Sequence, residues 1–228
     1  MLDSRGIKFV RYADDMVIMA KNQKAAERIL KSVKSFIEDK LFLKVDDKKT
    51  KIGKASSDSQ FLGFSFTTWA SKQRKERQQE AKWFATVHQK KRDKFQAKVR
   101  EILDRKVPGG FQATQKKLWQ FLVGWSMYYG NALPKGWAAN MDEWIRRRIR
   151  QLHWKQWKTP QNRQQQISRR WRGAPKLGEF AYSSRSYWRM ARTPVINRAL
   201  SNTKLWVEGW MTLEYALTTA QRAAHKVR

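Results

Sequence analysis

Two short apolar runs open the chain. Phe9-Val10-Arg11-Tyr12 and Met16-Val17-Ile18-Met19 flank Asp14 and Asp15. Apolar, β-branched-rich runs on either side of a polar pair predict a strand, a tight turn and a second strand across residues 7–20, with the two acids at the tip. From Lys24 to Lys40 the period changes: Ile29, Leu30, Val33, Phe36 and Ile37 fall on one face of an amphipathic helix, and Asn22 stands where a cap is needed. Leu41, Leu43 and Val45 alternate with Phe42 and Lys44, which predicts a strand. Asp46-Asp47-Lys48-Lys49 follows as a turn and Thr50-Lys51-Ile52 as a return strand. Residues 53–59 read as a polar loop and 60–66 as a further strand, with Gly63 leaving room for a close approach.

Downstream the pattern becomes helical. Ser71 to Glu80 is polar and reads as an exposed loop. Val87, Phe95, Val99, Ile102 and Leu103 then mark a basic amphipathic helix ended by Pro108-Gly109-Gly110. Leu118, Phe121, Leu122, Trp125 and Tyr129 mark a second helix that closes near Gly130. Asn140 with Glu143 three residues later has the form of a capping box opening a third, which Pro160 would stop. Trp144, Ile145, Ile149 and Leu152 form its apolar stripe. A Gln- and Arg-rich connector (161–175) and two or three short helices complete the chain. The fold class expected is α+β: a partial antiparallel sheet with one helix, followed by a mostly helical region.

Composition adds a partner. Among 228 residues, 49 are Lys or Arg and 19 are Asp or Glu, a formal net charge of +30. A compact domain so charged repels itself unless a polyanion neutralises it. Twelve Trp, 11 Phe and 6 Tyr argue against disorder and supply flat surfaces for stacking on bases. Cysteine is absent, which removes disulfides, thiolate nucleophiles and thiolate zinc sites. No run approaches the length of a membrane span and no secretory signal precedes the first strand, so a cytoplasmic or organellar protein is expected. A membrane-surface role fits poorly, because the bases spread over many helices rather than one amphipathic face.

Five stretches, in order, carry a resemblance. Tyr12-Ala13-Asp14-Asp15, Val45-Asp46-Asp47-Lys48-Lys49-Thr50, Phe61-Leu62-Gly63-Phe64, the run from Leu122 to Gly130, and the run from Asp142 to Arg150 continued by Trp154-Lys155-Gln156-Trp157-Lys158 are similar to the late palm and thumb of bacterial group II intron reverse transcriptase–maturases. The resemblance implies a partial reverse-transcriptase palm over 1–70, a polar connector over 71–86, a helical thumb or maturase domain over 87–160 and a basic helical extension over 161–228. It implies Asp14 and Asp15 as catalytic metal ligands for Mg²⁺, with Tyr12, Lys49 and Gly63 near primer or nucleotide. Complete members of that family carry fingers and a first palm half before this point, with a further metal-binding aspartate. The only acid before Tyr12 is Asp3, which resembles no such motif.

Nucleotidyl transfer uses two metals held from both sides, and two adjacent carboxylates supply one wall. The chain alone is therefore expected to bind Mg²⁺ weakly, to hold no zinc, and to polymerise only with the fingers and first palm half supplied, for instance by a separate chain. Arg146, Arg147, Arg148 and Arg150, four Arg in five positions, are the expected phosphate contacts, joined by Lys155 and Lys158. Trp137, Trp154, Trp157 and Trp171, close to Arg or Lys, are expected to stack on RNA bases; Trp119, Trp125 and Trp144 are expected in the core. Structured intron RNA and an RNA–DNA primer-template are the expected partners. The alternative is a non-catalytic maturase-type RNA-binding module in which Asp14 and Asp15 go unused.

Overall fold

A computed structural model describes residues 2–54, 59–68, 83–104, 106 and 109–226. The chain divides into two compact units, Met1–His88 and Gln89–Arg228. In the first, strands β1 (Phe9–Tyr12) and β2 (Asp15–Ile18) form an antiparallel hairpin with Phe9 opposite Ile18 and Tyr12 opposite Asp15. Ala13 and Asp14 are the two connecting residues. Ala13 sits at φ 52°, a left-handed conformation that costs a residue with a Cβ about 1–2 kcal/mol. The Arg11 guanidinium donates to the Ala13 carbonyl at 2.8 Å and braces the turn.

Helix α1 (Gln23–Ser35) begins as the pattern requires: Asn22 Oδ1 accepts from Ala25 N–H at 2.8 Å. Its last turn widens into a π-helical segment, Phe36–Lys40. The strand–turn–strand expected from Leu41 to Ile52 does not form. Only the turn survives, with Asp46 Oδ1 accepting from Lys48 N–H at 3.0 Å and the Thr50 hydroxyl donating to the Asp46 carbonyl at 2.8 Å. Alternation creates a strand only where a neighbour completes the ladder, and among the described residues none does. Phe42 stands 87 % exposed at φ 54°.

Strand β3 spans Phe64–Thr68 and pairs antiparallel with β4 (Trp83–Val87), Phe64 opposite Val87. The strand expected over 60–66 is thus cut by a tight turn. Leu62 and Gly63 take φ of 53° and 87°, and Phe61 and Phe64 exchange two backbone hydrogen bonds of 2.9 Å. Gly63 serves this turn, and its carbonyl accepts from His88 N–H at 3.0 Å. Strand β4 has no counterpart among the elements the pattern predicts, and Val87 belongs to it rather than to the following helix. The run Trp83-Phe84-Ala85-Thr86-Val87 has the aromatic and β-branched bias of a strand, but the polar stretch before it masks the hairpin. The loop expected at 71–80 lies outside the described residues.

The second unit is helical: α2 (Gln89–Ile102), α3 (Gly110–Tyr129), α4 (Lys135–Gln156), α5 (Pro160–Arg170), then the short α6 (Leu177–Ala181), α7 (Tyr187–Met190), α8 (Pro194–Ala199) and α9 (Asn202–Val207), and finally α10 (Leu213–Lys226). The periodic residues do what their spacing predicts. Phe95, Val99, Leu103, Leu118, Leu122, Ile145, Ile149 and Leu152 are all buried in one core. Three local signals are overridden. The capping box at Asn140 caps nothing, because α4 starts at Lys135, behind Pro134. Pro160 begins α5 rather than ending α4: it holds the first helical position after Thr159, whose hydroxyl accepts from Asn162 N–H. The expected connector after it is α5 itself.

Asp142 takes a different job. Buried on α4, it accepts from Leu213 N–H at 2.6 Å and Glu214 N–H at 3.0 Å, capping α10 from 71 residues away. Burial pushes its carboxyl above the usual range, against the pull of those two N–H groups and of Arg146. His153, also on α4, has the opposite fate. Burial, assisted by the Arg170 charge, holds its imidazole down at about 3. The neutral ring accepts the Trp210 indole N–H at Nε2, 3.2 Å away. Glu208 Oε2 is 3.5 Å from the same nitrogen, but a neutral acceptor makes no ion pair; Glu208 pairs with Arg170 at 2.9 Å instead.

Asp142→Ala strands two helix N–H groups in the interior and should destabilise the helical unit by about 2–4 kcal/mol, read as a lowered denaturation midpoint. For His153, the unfolded ring titrates near 6.5 and the folded ring near 3. Its contribution is present above pH 6.5 and is lost as pH falls, with a slope approaching ~1.4 kcal/mol per pH unit. Asp142 acts against this slope, since its raised folded pKa favours the protonated native state. The clean measurement is therefore the difference between wild type and His153→Gln, whose stability should depend less on pH between 6.5 and 4.

Candidate nucleic-acid interface

The hairpin places Tyr12 and Asp15 directly opposite each other, so their side chains leave the same face. Asp14, in the turn, stands beside them. Tyr12 is 64 % exposed and both acids are exposed. Among the described residues, no group of three or more His, Asp or Glu side chains is placed to hold a metal. The pair still suits a hard cation, because Mg²⁺ takes one or two carboxylates and completes its shell with water and phosphate oxygens. Lys49 and Gly63 belong to two other turns. Lys49 is exposed with Nζ 3.6 Å from Asp46 Oδ2, a solvated pair worth little. Gly63 is buried.

The arginine run on α4 is largely turned inward. Arg150 is only 8 % exposed, and donates from Nε to the Leu200 carbonyl at 2.9 Å and from Nη2 to Asn202 Oδ1 at 3.1 Å. Arg147 lies 3.7 Å over the Trp188 ring and gives Nε and Nη2 to the Trp188 carbonyl. Burial lowers the pKa of both. Arg148 donates to Gln151 at 3.3 Å near the Trp144 ring, and Arg146 sits 3.8 Å from Asp142. Arg147 and Arg150 thereby hold α4 to its neighbours, while the contacts of Arg146 and Arg148 with Asp142, Gln151 and Trp144 run along α4 itself.

Trp154 and Trp157 correct an expectation more sharply. They are 0 % and 5 % exposed and belong to the core, so neither offers a ring face to a base. An Arg beside a Trp in sequence suggested a surface pair. In the fold the cations cover the rings, Arg163 over Trp154 at 4.6 Å and Arg170 over Trp157 at 5.4 Å. Trp137 and Trp171 are half-buried beneath Arg92 and Arg198. Trp119, Trp125 and Trp144 pack against the core, as their stripe positions predict.

The exposed cations include Lys155 and Lys158, as expected, and many outside the motifs: Lys94 and Lys98 on α2, Lys116 and Lys117 on α3, and Arg169, Arg172, Arg189, Arg192 and Arg198 on or between the later helices. Their signal in the sequence was only the overall charge. Exposed aromatics were missed too, Trp206 and Tyr215 above all, each 41 % exposed with ring centroids 4.7 Å apart.

No described helix is long and apolar enough to cross a membrane. No curated protein matches the chain. Two family models do, and between them they cover nearly two thirds of it. Residues 1–66 match "Reverse transcriptase (RNA-dependent DNA polymerase)" and residues 92–171 match "Group II intron, maturase-specific domain". The first match ends within β3, and the second runs from α2 to just past α5. With both domains present in that order, the chain belongs to the reverse transcriptase–maturase family of group II introns.

Proposed function

We propose that the helical unit binds structured intron RNA through its exposed cations, and that the hairpin at Asp14 and Asp15 contributes to RNA-directed DNA synthesis. The observation that carries this reading is a division among the bases. Arg147 and Arg150 are spent on backbone carbonyls inside the fold, while Lys155, Lys158, Arg189 and Arg192 are exposed. Each phosphate a Lys or Arg neutralises releases counterions, so such a shell binds RNA with a steep salt dependence. Asp14 and Asp15 would hold Mg²⁺ from one side, beside Tyr12 and the primer end. The metal, when bound, would activate the primer hydroxyl and neutralise the departing pyrophosphate. The remaining ligands, and the fingers, would come from a further polypeptide segment, for instance a separate chain.

Replacing Lys155, Lys158, Arg189 and Arg192 together by Ala should flatten the plot of log affinity against log salt by about 0.7–0.9 for each phosphate no longer neutralised. An unchanged slope would discredit the assignment. Arg150→Ala should instead lower thermal stability, because it empties a buried cation site. Primer extension on an RNA template tests the hairpin. The chain alone with Mg²⁺ should make no DNA, and extension restored by an added fingers and first-palm polypeptide should vanish in Asp14→Asn while RNA affinity holds. Asp14-dependent extension by the chain alone would refute the half-site. Complementation indifferent to Asp14 would favour a purely RNA-binding maturase.

A further inference from the structure

Helices α9 and α10 and the linker residue Thr212 form an open surface cleft lined by Trp206, Thr212, Glu214, Tyr215 and Thr218. It falls outside both matched regions, which end at residue 171. It is open to solvent, so a planar group would lie against its wall rather than be enclosed. Two half-open rings form its walls: Trp206 and Tyr215 meet edge to face with centroids 4.7 Å apart, and Trp119 backs Tyr215 at 5.5 Å. The wall is held from beneath, since Gln115 donates to the Glu208 carbonyl at 2.7 Å and Asp142 caps the start of α10.

That cap decides what kind of ligand the cleft takes. The amides that begin α10 are already used: Leu213 and Glu214 by Asp142, Tyr215 by the Thr212 hydroxyl at 3.2 Å, and Ala216 by the Thr212 carbonyl. The helix start therefore has no donors left for a phosphate. What the cleft presents instead is an exposed residue, Glu214, beside two half-exposed aromatic rings. In a chain with 49 bases and 19 acids, a carboxylate there repels phosphate and accepts from donors. An unpaired base with two adjacent N–H donors on its edge satisfies both features: its face stacks on a ring and its donors meet the two carboxylate oxygens. Among the four bases, guanine carries that pair, at N1 and N2.

We propose that this cleft is a subsite for one unpaired guanine of a bound nucleic acid, stacked on Trp206 or Tyr215 and read by Glu214. The proposal rests on the nucleic-acid-binding reading above, and its test separates the two. Fluorescein-labelled oligouridylates with a central G, inosine or A, in RNA and DNA forms, are titrated with the full chain by anisotropy. Free guanosine and adenosine monophosphates are titrated in parallel against its indole NMR signals. Wild type should prefer G over A by about tenfold, with inosine between, because it lacks the N2 donor. Trp206→Ala should weaken the G oligonucleotide about tenfold. Glu214→Gln should invert the order toward A, whose edge suits a carboxamide, without changing the salt slope. The RNA and DNA arms decide which polymer supplies the base. Salt-dependent oligonucleotide binding with no G preference, or a preference that Glu214→Gln leaves intact, overturns the subsite and spares the RNA reading. Guanosine monophosphate binding that depends on Glu214, without oligonucleotide binding, upholds the subsite and sinks the RNA reading.

Discussion

Buried and half-buried cations in a chain short of acids need acceptors, and here the acceptors are the carbonyl ends of helices. Arg150 bonds the Leu200 carbonyl past α8, Arg147 the Trp188 carbonyl in α7, and Arg163 the Ala181 carbonyl closing α6. Lys204 bonds the carbonyls of Arg170, at the end of α5, and Arg198, in the last turn of α8. The last carbonyls of any helix lack an intrahelical partner and carry the negative end of its dipole. The short helices α6, α7 and α8 thus present anionic poles, and α4 and α5 supply the guanidinium that meets each; α9 ends instead at Glu208, whose carbonyl accepts from Gln115 on α3. Removing either side would leave a buried charge or a buried carbonyl alone, which costs more than the bond itself contributes. This reciprocal dependence explains how helices of four to six residues persist between the long ones.

The same economy sorts the bases by role. A guanidinium bonded to a carbonyl and stacked on an indole is a structural element, and it contributes little to the outer potential. The exposed Lys and Arg produce that potential, and they dominate any polyanion's first encounter with the protein. Asp142 and Glu208, two of the few acids in the helical unit, are likewise committed internally, one to the start of α10 and one to Arg170. Glu214 stands apart from them as an exposed acid against aromatic rings.

The first unit follows another logic. Its two hairpins are short, and a two-stranded ribbon is marginal in water by itself. Exposed Val10, Met19, Leu41, Phe42 and Leu43 show how much apolar surface these elements leave uncovered. The turn at Ala13 adds backbone strain where the two carboxylates are displayed, a combination that recurs at functional sites.

The sequence alone determined the features that depend on neighbours in the chain. Period 3.6 marked α1, α3 and the buried stripe of α4; two apolar runs around a polar pair marked the β1–β2 hairpin; and ordered motifs marked the family. Whatever depended on distant partners was hidden. Leu41 to Ile52 alternates like a strand but has no ladder to join, and β4 became a strand because Phe64–Thr68 lay opposite it. Asp142 reads locally as part of a capping box and serves a helix 71 residues on. Trp154, Trp157 and Arg150 look like a basic aromatic surface until α5 and α8 cover them. Burial is a property of what packs on top, and a residue's own neighbours in sequence do not say what that will be.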